Sequence, residues 1–128
     1  MPSNGARVIV KCEWGNPTGS MKDRMALAAI SRAEGDGRLK PGYTIVEYTG
    51  GSTGASLALV AGAKGYGMTI VTSDAFSREK LDQMRALGAT LELVPSEDGK
   101  TTKKLILAMI ERALDAGGPA AWVTGDEV

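Results

Sequence analysis

The sequence predicts an α/β domain of three layers, αβα, doubly wound around a mainly parallel sheet of about four strands. Short apolar or β-branched runs alternate with helix-length amphipathic stretches, and glycine marks most of the junctions between them. Each interval between successive runs is long enough to hold a crossover helix, which parallel pairing requires. At 128 residues the chain can bury one core and is too short for two.

In chain order, Arg7 to Glu13, with Val8, Ile9 and Val10 as a compact β-branched run, reads as a buried strand. Met21 to Glu34 reads as a helix stopped by Gly35-Asp36-Gly37, and Lys40-Pro41-Gly42 turns the chain back. Thr44 to Tyr48 is the second predicted strand. The Ala and Leu pattern of Ala55 to Lys64 is a helix ended by Gly65, its small residues suited to close packing on a sheet. Met68 to Thr72 is the third strand. Ser77 caps a helix to Leu87, with Leu81, Met84 and Leu87 on one face, and Gly88 ends it. Thr90 to Val94 is the fourth strand, and Pro95 to Lys100 is a polar loop. Thr101 or Thr102 caps a last helix in which Leu105, Ile106, Met109, Ile110 and Ala113 fall at helical spacing. Gly117-Gly118-Pro119 breaks that helix, and Ala120 to Val123 reads as one more short strand.

Composition removes several functions. Lys plus Arg and Asp plus Glu are 15 each, giving zero net charge with no block of either sign, which argues against nucleic-acid and membrane-surface partners that rest on electrostatics. No apolar run is long enough for a membrane span or a signal sequence. The single cysteine, Cys12, excludes an internal disulfide; it falls in the first predicted strand and reads as a small buried hydrophobe in a cytoplasmic protein. With no histidine in the chain, the commonest zinc ligand and general base are both missing, and no metal site is expected. Any catalysis falls to lysine, carboxylates, hydroxyls or a cofactor.

Two loops carry the chemistry. In Asn16-Pro17-Thr18-Gly19-Ser20-Met21-Lys22-Asp23-Arg24 a turn-rich loop meets a helix, Ser20 is placed to cap it, and Lys22 lies in the first turn. There the free N–H groups and the positive end of the dipole disfavour an ammonium, and Met21 and Met25 are placed to withhold water. All three effects lower a lysine's pKa and favour a Schiff-base nucleophile. On these residues alone, a solvated lysine opening an amphipathic helix remains an equal reading. The second loop, Thr49-Gly50-Gly51-Ser52-Thr53-Gly54, combines three glycines and three hydroxyls at the start of a helix, where a carboxylate or a phosphate is favoured. It is neither a P-loop nor a dinucleotide fingerprint, and a Gly-rich turn for close helix packing is the alternative. In a parallel sheet both loops are expected at the carboxyl ends of strands, sharing one crevice.

Together these loops resemble those of the fold type II pyridoxal-phosphate enzymes, the family of cysteine synthase, cystathionine β-synthase and tryptophan synthase β. The segment Asn16 to Arg24 is similar to the family's motif around the lysine that takes the cofactor, which falls on Lys22. Glu47-Tyr48-Thr49-Gly50-Gly51-Ser52-Thr53-Gly54 resembles the family's Thr-Ser-Gly-Asn-Thr-Gly loop. The resemblance implies that Thr49, Gly50, Gly51 and Thr53 hold the substrate carboxylate. It also puts Ser52 against the cofactor's ring hydroxyl, where the family carries Asn; a serine hydroxyl reaches less far than an amide. Lys40-Pro41-Gly42, Gly65-Tyr66-Gly67 and Met84-Arg85-Ala86-Leu87-Gly88-Ala89 extend the similarity over nearly the whole chain.

What the resemblance implies is pyridoxal 5'-phosphate as cofactor, a small amino acid as substrate, and β-replacement on an activated serine giving cysteine or a related amino acid. It implies a homodimer for the full-length enzyme. Such enzymes are more than twice as long, so residues 1–128 correspond to their small, substrate-side domain without the domain that binds the cofactor phosphate, and the 128 residues alone are expected to be inactive. The competing reading is a non-catalytic remnant, or an α/β module that binds an amino acid or another small anion.

Overall fold

The computed structural model describes residue 5, residues 7–96, Leu107, Ile110, Glu111, Asp115 and residues 120–125, the last as backbone. Its elements are α1 (Lys22–Gly35), β1 (Thr44–Tyr48), α2 (Ser52–Lys64), β2 (Gly67–Ser73), α3 (Arg78–Ala86), β3 (Thr90–Val94) and β4 (Ala120–Gly125), with a short 3-10 turn at Glu13–Gly15. The four strands form one sheet in the order β3-β2-β1-β4, and all three pairings are parallel.

Side-chain alternation divides the sheet into two faces. Ile45 lies opposite Met68 and Glu47 opposite Ile70, and Ile45, Met68 and Ile70 turn toward α2 and α3. These residues and Ile30, Leu57, Ala58, Ala61 and Met84 make the main core. The other face carries Val46, Val71 and Val94, with Tyr48 and Ile110 packed on them. Leu107, Ile110, Glu111 and Asp115 are all helical, and Ile110 is the one among them that packs on this face. Thr101, Thr102, Leu105, Ile106, Met109 and Ala113 of the predicted last helix lie outside the described residues.

Local chemistry explains the junctions. In Lys40-Pro41-Gly42-Tyr43, proline presets the first corner and Gly42 takes φ 84°, while the Tyr43 N–H donates to the Lys40 carbonyl over 3.1 Å. Gly65, at φ 79°, closes α2 in the left-handed conformation, and Tyr66 N–H then reaches the Ala61 carbonyl at 2.9 Å. Ser77 accepts from Lys80 N–H and starts α3. Small residues line α2: Gly54, Ala55, Ser56, Ala58 and Ala61 are buried, which lets α1 pack directly on it through Ala26, Ile30 and Ala33.

The first predicted strand does not form. Residues 7–12 have no regular structure, and Val8, Ile9 and Val10 are 85%, 83% and 72% exposed. A β-branched run becomes a strand only where a neighbour supplies its ladder and covers a face, and none of the described strands pairs with this one. Cys12, expected inside that strand, is exposed for the same reason. Among the described residues no helix is long and apolar enough to cross a membrane, and no cluster of acids and thiols is disposed to hold a metal.

Two glycines of α2 test this packing in opposite directions. A Cβ on Gly54 would stand 2.6 Å from Thr49 Cγ2 and 2.9 Å from Met84 Cε, so Gly54→Ala is expected to cost about 1–3 kcal/mol. On Gly62 the nearest atom is the Leu87 carbonyl oxygen at 3.4 Å, and Gly62→Ala is expected to add about 0.5–1 kcal/mol through helix propensity. Urea unfolding of the two variants checks both signs; destabilisation by both would mean that α2 tolerates no added volume.

Candidate active site

The loop before α1 is built on hydrogen bonds between near neighbours. Gly19 N–H donates to the Asn16 carbonyl at 2.8 Å and Gly19 sits at φ 73°, while Asn16 Nδ2 donates to the Ser20 carbonyl at 2.9 Å and to Glu13 Oε2 at 2.5 Å. Ser20 performs the capping expected of it one residue outside the helix boundary, which falls at Met21. Its hydroxyl accepts from Lys22 N–H at 3.1 Å and its carbonyl from Asp23 N–H at 3.3 Å. Lys22 is thus the first residue of α1, half-buried, and none of the described carboxylates forms an ion pair with it. Met21 and Met25, expected to withhold water from Lys22, are themselves 65% and 39% exposed. The buried stripe of α1 runs through Asp23, Ala26, Ile30 and Ala33, and both methionines lie off it.

The first member of that stripe is a carboxylate. Asp23 is 8% exposed. Its Oδ2 accepts from the Thr18 N–H at 2.8 Å, and its Oδ1 accepts from the Thr18 hydroxyl at 2.5 Å and from the Ser56 hydroxyl at 2.5 Å. The two hydroxyl oxygens are themselves 3.3 Å apart. Burial pushes the Asp23 carboxyl up, but the bonds from Ser56 and Thr18 together outweigh it and hold the pKa below the ordinary value. Ser56 belongs to the second turn of α2, so this cluster ties the loop around Lys22 to the helix that begins in the Gly-rich loop.

That second loop leaves β1 at its carboxyl end. Thr49 N–H extends the ladder to the Val71 carbonyl at 3.1 Å, and its hydroxyl accepts from Gly51 N–H at 3.4 Å. Gly50 is buried under Phe76: a Cβ there would stand 2.1 Å from the ring, so only glycine fits. Beside Gly51 the space is open to at least 4 Å. Ser52 and Thr53 open α2, where N–H groups lack a carbonyl one turn back and point outward with the positive end of the dipole. The arrangement offers an amine, three hydroxyls and free backbone donors around the start of two packed helices, a set suited to an aldehyde and a carboxylate.

The expected crevice between strand ends is therefore corrected in one part. The Thr49 to Gly54 loop does follow a strand, but the Lys22 loop follows none, because residues 7–12 form no strand. The two are brought to one end of the α1/α2 pair by Thr18, Asp23 and Ser56. Sequence reasoning gave these three no role. The available signal was Ser56, a polar residue inside the apolar run of α2, which burial obliges to find a partner.

The description "Pyridoxal-phosphate dependent enzyme" belongs to the family model that matches residues 2–124 of the chain. Cysteine synthase B of Salmonella typhimurium is 47% identical over 112 residues, 87% of this chain and 37% of that protein. Cysteine synthase of Staphylococcus aureus strain Mu50 is 48% identical over 95 residues, 74% of this chain and 31% of that protein. Among solved structures, O-ureido-L-serine synthase superposes with a TM-score of 0.74 at 43% identity, over 87% of this chain and 34% of its own. A hydrogen sulfide-producing enzyme from Fusobacterium nucleatum gives 0.78 at 34% identity, over 88% and 35%. The chain spans about a third of the length of the curated relatives it matches.

The Asp23 cluster predicts an acid dependence. A carboxyl whose folded pKa is depressed contributes stability that is present above its unfolded value, near 3.8, and is lost as pH falls through the folded one. Asp23→Asn is therefore expected to lower the urea midpoint at pH 7, with the gap from the parent narrowing below about pH 4. A gap unchanged from pH 7 to pH 2.5 would contradict the assigned charge.

Proposed function

Because the chain belongs to the pyridoxal-phosphate dependent enzyme family, we propose that it is the lysine-bearing, substrate-side domain of a cysteine synthase-like enzyme. The reaction is β-replacement on an activated serine, giving cysteine or a related amino acid. One observation carries this reading: a half-buried amine without a carboxylate partner among the described residues stands at the start of α1, and α1 is tied through Asp23 and Ser56 to the helix that opens in a loop of hydroxyls.

The residues present fit the cofactor by their donor chemistry. Lys22 Nζ is an available amine for its aldehyde, Ser52 a hydroxyl partner for its ring oxygen, and the open side of Gly51 admits a ligand close to backbone. When bound, pyridoxal phosphate draws electrons from the substrate's α-carbon, so that the α-proton becomes removable and the β-substituent leaves. Lys22 Nζ would hold the cofactor and would take the proton at the substrate's α-carbon. The hydroxyls of Thr49 and Thr53 and the backbone around Gly50 and Gly51 hold the substrate carboxylate, aided by the positive end of α2. Phe76 closes Gly50 from behind and leaves it only its backbone to offer.

The whole enzyme is proposed to be a cytoplasmic homodimer. An exposed lone thiol suits a reducing compartment, and the exposed Val8, Ile9, Val10 and Trp14 supply apolar surface for burial against protein. The 128 residues alone are proposed to bind without turning over.

The test is borohydride reduction of the chain in pyridoxal phosphate, with the modified peptide located by mass spectrometry. Label is expected on Lys22, with Lys22→Ala unlabelled and still folded; equal label in that variant would remove Lys22 from the reading. In the cofactor-loaded chain, Thr53→Ala is expected to weaken amino-acid binding by about 1–3 kcal/mol, read from the change in the visible band. Unchanged amino-acid affinity with weaker cofactor binding would assign the loop to the cofactor instead. Amino-acid binding with no cofactor uptake would leave the binding-module reading.

A further inference from the structure

We infer that Asp23 is a positioning residue for Lys22: by accepting from the Thr18 N–H, the Thr18 hydroxyl and the Ser56 hydroxyl, it sets the direction of the lysine side chain relative to the loop that opens α2. The inference rests on the role proposed for Lys22 and adds the device that aims it.

Three features separate this from ordinary packing. The α1 stripe that faces α2 is otherwise apolar, through Ala26, Ile30 and Ala33, and an apolar residue at position 23 would continue it without the cost of burying a charge. The carboxylate, moreover, does not cap its own helix. It reaches back five residues to Thr18, before the helix starts, and across 33 residues to Ser56, so it fixes the angle at which the chain meets α1 from two directions. Finally, the segment it grips is already stiff. Pro17 sits inside a turn closed by Gly19 N–H on the Asn16 carbonyl at 2.8 Å, and Asn16 Nδ2 holds the Ser20 carbonyl at 2.9 Å. Rotating or sliding α1 against α2 would break the Ser56 bond, and the two Thr18 bonds tie the loop before α1 to the first turn of that helix. Lys22, next to Asp23 on the same turn, moves with it.

Ser56 offers the cleanest handle, since Ser56→Ala removes one hydroxyl from a buried site and leaves the Asp23 to Thr18 bonds in place. Asp23→Asn and Thr18→Val test the rest, and Thr18→Ser restores both Thr18 donors. Each variant is compared with the parent at a temperature where circular dichroism shows both folded, by two readouts. The first is the rate of borohydride-trapped label from pyridoxal phosphate at Lys22. The second is competitive acetylation of Lys22 by acetic anhydride, measured against the exposed Lys40 and needing no cofactor.

A displaced reacting group loses a large part of its rate, so label at Lys22 is expected to fall at least about tenfold in Ser56→Ala and Asp23→Asn. Acetylation of Lys22 is expected to rise toward that of Lys40, and Thr18→Ser is expected to behave as the parent. A lower melting temperature with both lysine readouts unchanged would overturn the inference and leave Asp23 a purely structural residue. Parent label at a lysine other than Lys22 would instead defeat the role proposed for Lys22, and acetylation would still decide whether Asp23 aims that side chain. Should Asp23→Asn fail to fold, the two readouts on Ser56→Ala decide between aiming and packing.

Discussion

A carboxylate removed from water must be satisfied where it stands, and in this chain that demand falls on Asp23. Leaving it unpaired would cost several kcal/mol, so Thr18 and Ser56 have to meet it, and meeting it fixes how α1 approaches α2. Much else follows from that contact. The helices approach closely because α2 presents Gly54, Ala55, Ala58 and Ala61, and the hydroxyl of Ser56 sits among them, within reach of Asp23 on α1 and of the Thr18 hydroxyl before it. The core below, from Ile30 to Ile45 and Ile70, supplies most of the hydrophobic stabilisation, at roughly 1.5–3 kcal/mol for each fully buried large side chain. The polar contact adds a directional restraint that apolar burial lacks.

The two loops are placed by different physics. The Thr49 to Gly54 loop is held by the sheet: Thr49 continues the β1 to β2 ladder, Phe76 fills the space a side chain at position 50 would need, and α2 starts immediately after. The Lys22 loop follows no described strand and is held by the bonds among Thr18, Asp23 and Ser56 and by its own tight turn. On the proposed function, the loop on the sheet would hold the carboxylate and the helix would carry the amine, whose placement rests on a few hydrogen bonds.

Most of the fold is legible in the sequence because its signals are local. Gly42, Gly65 and Gly88 stand where the pattern demands a turn or a stop, and all adopt positive φ, at 84°, 79° and 92°. Ser77 caps where expected, and the strands at Thr44, Met68, Thr90 and Ala120 lie within a residue or two of their predicted limits. The failure at residues 7–13 has a different origin. Val8, Ile9 and Val10 have the composition of a buried strand, but burial is decided by what lies alongside, which composition does not contain. Cys12 shares that failure. In the site, Lys22 and the hydroxyl loop are visible as motifs, whereas the Thr18, Asp23 and Ser56 cluster is not, because its longest link joins residues 33 apart in sequence. Met21 and Met25 are more exposed than shielding Lys22 would require because Met21 precedes the helix and Met25 lies off its buried stripe, a phase set by packing rather than by spacing to Lys22.

The Lys22 loop and the Thr49 to Gly54 loop are proposed to form one site. Amide NMR of the chain titrated with pyridoxal phosphate tests it directly, since each loop reports separately. One site predicts that the amides of Thr18, Lys22 and residues 49–53 shift together, along a single saturation curve. Shifts confined to one loop, two curves of different midpoint, or a response centred elsewhere on the domain would contradict it.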